Sequence, residues 1–332
     1  MVRFATIGSS KHAHTFLETA MTCEDFHLEA VYSRSMEIAK SMAEKFSAKK
    51  AYNSLDAIAN DPEIDAVYIA SPNAFHARQA IFLMDVGKHI LCEKSLASNS
   101  REVQEMFEAA DRNGVVLLEA TRPLHDPGYQ LLRQALLKVG KVRHATIRFC
   151  QYSSRYDDFL AGLDHNVFDK KCAAGALTDV GVYCVEFLVG LFGAPKKVQA
   201  SCVKLRTGVD GLGSILAEYD GMTAGLIYSK IAASDLPSDI QGELGNILIY
   251  PSPVEPERIE ICYNNGIKEV LSREHIEVNT IIYELQDFIK MVNGNMDSEP
   301  YREVTIQSMK MMDEVRKQYG IVFPADETDG KK

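Results

Sequence analysis

Short apolar runs alternate with helix-like repeats over the first third of the chain. The apolar runs predict strands over 2–7, 28–32, 66–70, 89–92 and 115–119. Between them, apolar residues recur at helical spacing, as over 74–86, where Gly87 supplies a typical helix C-cap. Strands that alternate with helices in this way form crossover units on a parallel, doubly wound sheet. We therefore expect a nucleotide-binding domain over 1–121.

The pattern changes in the second half of the chain. Alternating and β-branched segments fill 197–271, and hairpin turn signals separate them at Gly208, Gly211, Asp220-Gly221 and Asn264-Asn265-Gly266. Helical repeats over 278–292 and 303–319 follow. The sequence thus predicts an α/β protein in which an α+β domain over 122–332 carries a large, mostly antiparallel or mixed open sheet.

Length and composition narrow the class of protein. A chain of 332 residues is long enough for two domains that each bury a core. Hydrophobic residues make up 46% and charged residues 25%, as in ordinary soluble proteins, and no apolar stretch approaches the about 18 to 20 residues that span a bilayer. No secretory signal is visible before the first strand, so we expect a cytoplasmic protein without a membrane partner.

Charge and cysteine content bear on partners and metals. The net charge is −10 and no basic block is present, which argues against nucleic acid as a partner. The seven cysteines form no C-x-x-C pair and no cluster with histidine, so we expect reduced thiols and no metal site. An anionic cofactor would need a local positive site.

The run from His89 to Ser95 is the strongest candidate for chemistry. It is an apolar strand that ends abruptly in Glu93 and Lys94. In an open α/β sheet, ligands bind at the carboxyl ends of the strands, so these two charges stand where a ligand would lie. The alternative is a lysine that is simply solvated after its strand.

The turn after the first strand is the candidate phosphate site. A glycine there allows close backbone approach, and the amino end of the next helix offers N–H groups to an anion. The expected G-x-G-x-x-G/A motif keeps only its first glycine and reads Gly8-Ser9-Ser10-Lys11-His12-Ala13. The serines could donate to phosphate, and Lys11 or His12 could supply charge. Alternatively, Ser10 is the N-cap of a tight turn.

The end of the second strand bears on the choice of dinucleotide. An acidic residue there binds the ribose hydroxyls of NAD, whereas this chain has Ser33 and Arg34. A serine and a guanidinium suit a 2′-phosphate, so Arg34 points to NADP in preference to NAD. A solvated surface arginine is the alternative.

Polar residues also follow the third strand, in the segment Ser71-Pro72-Asn73-Ala74-Phe75-His76. We expect His76 to project from the first helical turn toward the strand edge, with Asn73 well placed as the helix N-cap. The alternative for His76 is a solvated side chain.

A second contributor is expected from the stretch 173–187. Gly175 and Gly181 lie near and inside a predicted helix, where an interior glycine costs about 1 kcal/mol relative to alanine and commonly marks a close approach. Asp179 and Tyr183 are four residues apart, so they share a helical face and could point together into a cleft. The alternative is an acid favoured by the helix dipole and a tyrosine packed in the core.

These motifs in combination are more specific than any one of them. A glycine turn, Pro-Asn-x-x-His, Glu-Lys at a strand end and Gly-x-Leu-x-Asp-x-Gly-x-Tyr occur in an order and spacing that resembles the Gfo/Idh/MocA oxidoreductases over nearly the whole chain. Tyr183 stands where many members carry histidine, so the chain is most similar to the branch of dimeric dihydrodiol dehydrogenase and 1,5-anhydrofructose reductase, which favours NADP.

The resemblance implies a fold and an activity. The fold would be an N-terminal Rossmann domain and a C-terminal domain that assembles a homodimer or a dimer of dimers through its sheet. The activity would be hydride transfer between a nicotinamide and a secondary alcohol or carbonyl of a small sugar, polyol or dihydrodiol-like substrate.

The resemblance also implies roles for individual residues. Lys94 matches a lysine that polarises the reacting oxygen and helps to bind the nicotinamide ribose, Tyr183 matches the proton donor and acceptor, and Asp179 matches the supporting acid. The predicted cofactor-binding set is Gly8, Ser9, Ser10, Lys11, His12, Ser33, Arg34, Ser71, Pro72, Asn73, His76, Glu93 and Lys94. Candidates to bind substrate hydroxyls, or else ordinary loop residues, are Arg122, His125, Arg155, Tyr156, Asp164, His165 and Asn166.

Three positions depart from the family pattern. Ser10 replaces a glycine, Ser95 replaces the proline after Glu-Lys, and Ala174 stands where glycine is common. Ser10 could weaken cofactor affinity and Ser95 could loosen the strand end. Two alternatives therefore stay open, a non-catalytic NADP sensor and a scaffold that binds no cofactor. The presence of both Lys94 and Tyr183 argues for catalysis, because a sensor needs no acid–base pair.

Overall fold

The computed structural model describes residues 1–330. Its contacts divide the chain into two compact units, Met1–Ala120 with Ile276–Glu303, and Thr121–His275 with the chain from Val304 onward. The sequence places 276–303 in the second domain, whereas the contacts place it in the first unit.

Residues 276–303 belong to the first unit because a helix in this segment packs in its core. The helix Ile281–Val292 buries Leu285 and Phe288 in the core of the first unit, where the ring centroids of Phe288 and Phe4 are 5.8 Å apart. An amphipathic helix shows in its sequence that it packs on an apolar core, but not on which core.

The first unit contains one sheet of six strands: β1 Val2–Ile7, β2 Phe26–Tyr32, β3 Lys50–Tyr52, β4 Ala66–Ile69, β5 His89–Glu93 and β6 Leu117–Ala120. All neighbours pair in parallel, in the order β3-β2-β1-β4-β5-β6. The predicted doubly wound sheet is confirmed. Because the order reverses between β1 and β4, the carboxyl ends of these strands are where such sheets bind ligands.

The second unit contains one sheet of eight strands: β7 Val142–Cys150, β8 Lys197–Lys204, β9 Asp210–Tyr219, β10 Met222–Ser229, β11 Ser238–Gly242, β12 Gly245–Pro251, β13 Pro256–Tyr263 and β14 Lys268–Ser272. Their order is β14-β13-β12-β11-β7-β10-β9-β8. Only β7 and β10 pair in parallel among these neighbours, so the predicted mixed sheet is confirmed.

Both units also contain helices. Those of the first unit are α1 Lys11–Ala20, α2 Met36–Lys45, α3 Leu55–Ala59, α4 His76–Met84, α5 Ser100–Asn113 and α10 Ile281–Val292. Those of the second unit are α6 Arg122–His125, α7 Pro127–Leu136, α8 Tyr156–Leu160 and α9 Val182–Phe192, while α11 Glu299–Tyr319 runs from the first unit into the second.

One expectation about apolar length needs correction. The helical stretch Lys170–Phe192 is long and apolar enough to cross a membrane by length and composition, although the sequence was expected to contain no such stretch. Its apolar window is 78% buried inside the protein. A helix that packs on all sides is hydrophobic all round, which accounts for its composition.

Candidate active site

The end of strand β5 holds a buried carboxylate with polar partners. Glu93 is 7% exposed, and its Oε1 lies 2.8 Å from His12 Nε2 and accepts a hydrogen bond of 2.6 Å from the Tyr68 hydroxyl. Burial by itself would raise the pKa of Glu93, but the neighbouring His12, Tyr68 and Lys94 lower it to about 2. The first turn and the strand end, which are distant in sequence, therefore meet at this carboxylate.

The residues after Glu93 are held by hydrogen bonds to the backbone. Lys94 is half-buried, and a cis peptide bond joins it to the buried Ser95. The Ser95 carbonyl oxygen lies 3.1 Å from His76 Nδ1, and the next amide, that of Leu96, donates to Glu119 Oε1 at 2.7 Å. These bonds fix the position from which the Lys94 side chain leaves the backbone.

His76 is fully buried, which rules out the solvated alternative. Its Nε2 lies 2.7 Å from the carbonyl oxygen of Ser71, while Nδ1 faces Ser95. Burial lowers the pKa of the ring more than these carbonyl oxygens raise it, so the neutral form is favoured. His76 thus links the segment after β4 to the segment after β5.

The segment Ser71–Asn73 is half-buried and leads into a short 3-10 turn, Asn73–Phe75, ahead of α4. Pro72 occupies the N-cap position of this turn, and no side chain caps it. The expectation that Asn73 is the helix N-cap is therefore wrong, because helical geometry begins at Asn73 itself.

The first turn requires a glycine because its backbone packs against the residue that follows β4. Gly8 has a φ of 121°, and a Cβ there would lie 2.5 Å from the carbonyl oxygen of Ala70. No other residue type fits without displacing β4. Ser9, Ser10 and Lys11 are exposed, and Ser10 Oγ accepts from the Ala13 amide at 3.2 Å, so Ser10 is the N-cap of the alternative interpretation, and its contact with phosphate stays a prediction. Exposed hydroxyl and ammonium donors at a helix amino end fit a pyrophosphate.

Arg34 lies at the carboxyl end of β2. Ser33 is buried, and its Oγ accepts from the Ser35 amide at 3.4 Å, while Ser35 caps α2. Arg34 is exposed, and within residues 1–330 no hydrogen bond or ion pair holds its guanidinium. The donor set at this strand end fits a phosphate group.

The second unit carries Asp179 in a π-helical turn, Leu177–Gly181, that leads directly into α9. Lys230, the residue after β10, donates through Nζ to the Asp179 carboxylate. Lys230 is 8% exposed, whereas the Asp179 side chain is 31% exposed, so the lysine is buried and the carboxylate is partly open to solvent. Sequence reasoning missed Lys230, although a lysine directly after an apolar strand is the same signal that singled out Lys94.

Tyr183 lies in the first turn of α9 and is buried. Its ring packs edge-on against Phe149 of β7, with 5.8 Å between centroids and 84° between planes. The ring is thus packed, as the alternative interpretation expects, and its catalytic role stays a prediction.

Asp210, the first residue of β9, was also missed. Its buried carboxylate accepts from the Leu177 amide at 2.7 Å and so holds the start of the turn that carries Asp179. Burial raises the pKa of Asp210 to about 6, because its backbone N–H partners only partly offset the loss of solvent.

Several of the candidate substrate-binding residues are engaged in local pairs. Arg122 binds Glu255, Arg206 Nη1 lies 2.6 Å from Asp164, and His165 Nε2 lies 2.9 Å from Asp158. Arg155 and Asn166 are exposed and Tyr156 is half-buried, whereas His125 is buried. Whether any of them contacts substrate stays a prediction.

Across residues 1–330, no group of three or more His, Cys, Asp and Glu side chains is placed to hold a metal ion. All seven cysteines are free thiols.

Comparison with known proteins identifies the family. The profile of an oxidoreductase family with an NAD-binding Rossmann fold, GFO_IDH_MocA, matches residues 2–121, and that of the GFO/IDH/MocA C-terminal domain matches residues 129–248. The chain belongs to the Gfo/Idh/MocA oxidoreductases. The family, the fold class and the oxidoreductase activity predicted from the sequence are thereby confirmed.

Relatives match over the full length. The chain is 46% identical to scyllo-inositol 2-dehydrogenase (NADP(+)) IolU of Bacillus subtilis (strain 168), over 98% of this chain and 100% of the relative. It is 30% identical to trans-1,2-dihydrobenzene-1,2-diol dehydrogenase of Mus musculus, over 98% of this chain and 99% of the relative.

A solved structure supports the fold. KijD10, a 3-ketoreductase from Actinomadura kijaniata in complex with NADP and TDP-benzene, superposes with a TM-score of 0.85 and 21% identity, over 96% of this chain and 97% of that chain. At this identity, the likeness concerns the fold of this Gfo/Idh/MocA oxidoreductase alone.

Proposed function

We propose that this oxidoreductase is an NADP-dependent dehydrogenase that oxidises a ring secondary alcohol of a small polyol, with inositols as the first candidates. The observation that carries the proposal is the 46% identity, over the full length of both chains, to an NADP(+)-dependent scyllo-inositol dehydrogenase. The relatives that act on a dihydrodiol also use a cyclic diol, so a ring alcohol is the chemistry that these names share.

The first unit would hold the dinucleotide. The turn at Gly8 would hold the pyrophosphate, with donors from Ser9, Ser10, Lys11 and His12. Arg34, beside Ser33, would bind the 2′-phosphate. The segment with Ser71, Pro72 and Asn73 would lie against the nicotinamide. His76, which is fully buried, would act through the backbone of Ser71 and Ser95 and not by direct contact.

The proton chemistry is assigned to three side chains that the sequence motifs single out. The nicotinamide, when bound, would supply the hydride acceptor for the alcohol carbon. Tyr183 Oη would take the hydroxyl proton, Lys94 Nζ would donate a hydrogen bond to the reacting oxygen, and Asp179 would orient the proton-transferring group. Lys94 in turn helps to hold Glu93 as an anion.

The cofactor assignment is tested by titrating the protein with NADPH and NADH and following nicotinamide fluorescence. We expect NADPH to bind more tightly, and Arg34→Ala to weaken NADPH by about 10- to 100-fold while leaving NADH unchanged, because charge-assisted hydrogen bonds to the phosphate are lost. Arg101→Ala, which removes an exposed arginine paired with Glu105, is the matched control. A preference for NADH would contradict the role of Arg34.

The substrate assignment is tested by NADP+ reduction with scyllo-inositol, myo-inositol and trans-1,2-dihydrobenzene-1,2-diol. Turnover of an inositol supports the proposal. NADPH binding without turnover of any ring alcohol would favour the sensor alternative, and failure to bind either dinucleotide would favour the scaffold.

We also propose that the outer face of the eight-stranded sheet mediates self-association. Leu216 of β9 and Ile227 of β10 are exposed on this face, next to a shallow depression of about 510 Å³ that Arg148 and Asp239 help to line. An uncovered sheet face that carries exposed apolar side chains favours a homodimer or dimer of dimers. Light scattering should show a smaller particle for Leu216→Glu, but not for the control Leu137→Glu, which alters an exposed leucine of the same unit.

A further inference from the structure

The turn that carries Asp179 is held at its start by the strand beside it. Asp210 Oδ2 accepts from the Leu177 amide at 2.7 Å. A Cβ on Gly175 would lie 2.4 Å from Asp210 Oδ1, so this approach requires the glycine. The backbone of the turn is therefore fixed before Asp179 is reached.

The far end of the turn is held by packing. A Cβ on Gly181 would lie 3.0 Å from ring atoms of Tyr228, so the turn rests directly on strand β10. With both ends of the turn fixed, the Asp179 side chain can still rotate.

Lys230 restrains the rotation of the Asp179 side chain. Its backbone amide donates to the Gly211 carbonyl at 2.9 Å, which ties it to the strand that begins with Asp210. Its Nζ donates to the Asp179 carboxylate, and the Lys230 side chain is 10% exposed. A largely buried ammonium holds a carboxylate in one orientation through a charge-assisted hydrogen bond.

We infer that Lys230 is a positioning residue, which orients the Asp179 carboxylate for the proton transfer assigned to Tyr183. The inference rests on the proposed function, since it presumes that Asp179 takes part in the reaction. It adds a charged partner from the residue after β10 to the residues that the sequence motifs supply.

The test is a double-mutant cycle of Lys230→Met and Asp179→Asn, assayed with scyllo-inositol and NADP+. Methionine keeps an unbranched apolar stem and removes the ammonium. We expect Lys230→Met to lower kcat by about 10- to 100-fold, because small misplacements of a catalytic group have effects of this size. The Kd for NADPH should not change, and Lys230→Arg should recover most of kcat.

The cycle distinguishes action through Asp179 from a general loss. In the Asp179→Asn background, Lys230→Met should change kcat by no more than about twofold, since the group through which it acts is gone. Lys196→Met, which removes an exposed lysine paired with Asp220, should leave kcat unchanged. If Lys230→Met does not fold, as judged by circular dichroism and NADPH binding, Lys230→Gln replaces it in the cycle, with Lys230→Arg as its charged counterpart.

Each failure is separable. Independent, multiplying losses in the double variant, or a wild-type kcat for Lys230→Met or its Gln replacement, would overturn the role of Lys230 while leaving the proposed function intact. A wild-type kcat for Asp179→Asn alone would overturn the inference together with the role of Asp179.

Discussion

The two units each contain a buried carboxylate near a predicted site residue, and the two differ in their partners. Glu93 in the first unit is 7% exposed, and Asp210 in the second is 3% exposed. Glu93 has the side chains of His12 and Tyr68 at hydrogen-bonding distance, and its pKa is lowered to about 2 despite its burial. Asp210 accepts from the backbone amide of Leu177, and its burial raises its pKa to about 6.

The difference teaches that burial alone does not decide the charge of a carboxylate. The side chains of His12, Tyr68 and Lys94 keep Glu93 an anion despite its burial. Asp210 holds a helical turn through backbone N–H groups, which offset less of the cost of burying its charge. The first unit should therefore respond to mutation through cofactor affinity and acid stability, and the second through kcat.

The largest effect is expected at Tyr183. Tyr183→Phe removes the hydroxyl to which we assign the proton exchange, so kcat should fall by about 100- to 10,000-fold, with the Kd for NADPH unchanged. Steady-state kinetics with scyllo-inositol and fluorescence titration measure the two quantities. Tyr263→Phe, at a part-buried pair with Glu269, serves as the control. Wild-type kcat in Tyr183→Phe would remove the proton-transfer role.

A large effect on stability is expected at Glu93. Because the pKa of Glu93 is lowered from 4.5 to about 2, its ionised form stabilises the fold above pH 4.5, by about 3 kcal/mol, and this contribution is lost as the pH falls toward 2. Urea unfolding should show Glu93→Gln destabilised at pH 7, with a smaller difference from wild type at pH 3. Glu105→Gln, an exposed carboxylate paired with Arg101, should show no such trend. An equal loss of stability in Glu93→Gln at pH 7 and at pH 3 would contradict the lowered pKa of Glu93.

At Asp210 we expect stability to change with pH in the opposite direction. Its pKa is raised from 3.8 to about 6, so ionisation disfavours the fold, and wild type should lose up to about 3 kcal/mol relative to Asp210→Asn as the pH rises through this window. Unfolding free energies at pH 4 and pH 7 measure the change. If both proteins follow the same pH dependence, the carboxylate does not have the environment described.

A smaller effect is expected at the first turn. Gly8→Ala places a Cβ 2.5 Å from the Ala70 carbonyl oxygen at a φ of 121°, so we expect a loss of about 1 to 3 kcal/mol in stability and weaker NADPH binding. Gly87→Ala is the matched control, since Gly87 also has a positive φ but nothing within 4 Å of its Cβ position. Equal losses in both variants would show that only the backbone conformation matters.

Much of the architecture could be predicted from the sequence. Apolar runs such as Val2–Ile7 and His89–Glu93 end in glycine or charge, which identifies parallel strands and their carboxyl ends. Strand β3 and helix α3 are too short to show a period, and the helix Ile281–Val292 carries no signal of which core it joins.

The site could be predicted only in part. Glu93 and Lys94 belong to a local motif, and Asp179 and Tyr183 share another, so each pair stands out in the sequence. Lys230 and Asp210 are single charged residues at the ends of strands β10 and β9, and in a sequence they resemble solvated ones. Their partners come from a helix distant in sequence, and only the fold brings them together.

We propose above that this protein moves a hydride between a ring alcohol carbon and a nicotinamide. The most direct test is to incubate the protein with NADP+ and scyllo-inositol deuterated at its ring carbons, and to measure the mass of the cofactor. We expect reduced cofactor that carries one deuterium from the inositol ring. Bound cofactor that stays oxidised, or reduced cofactor without deuterium, would contradict it.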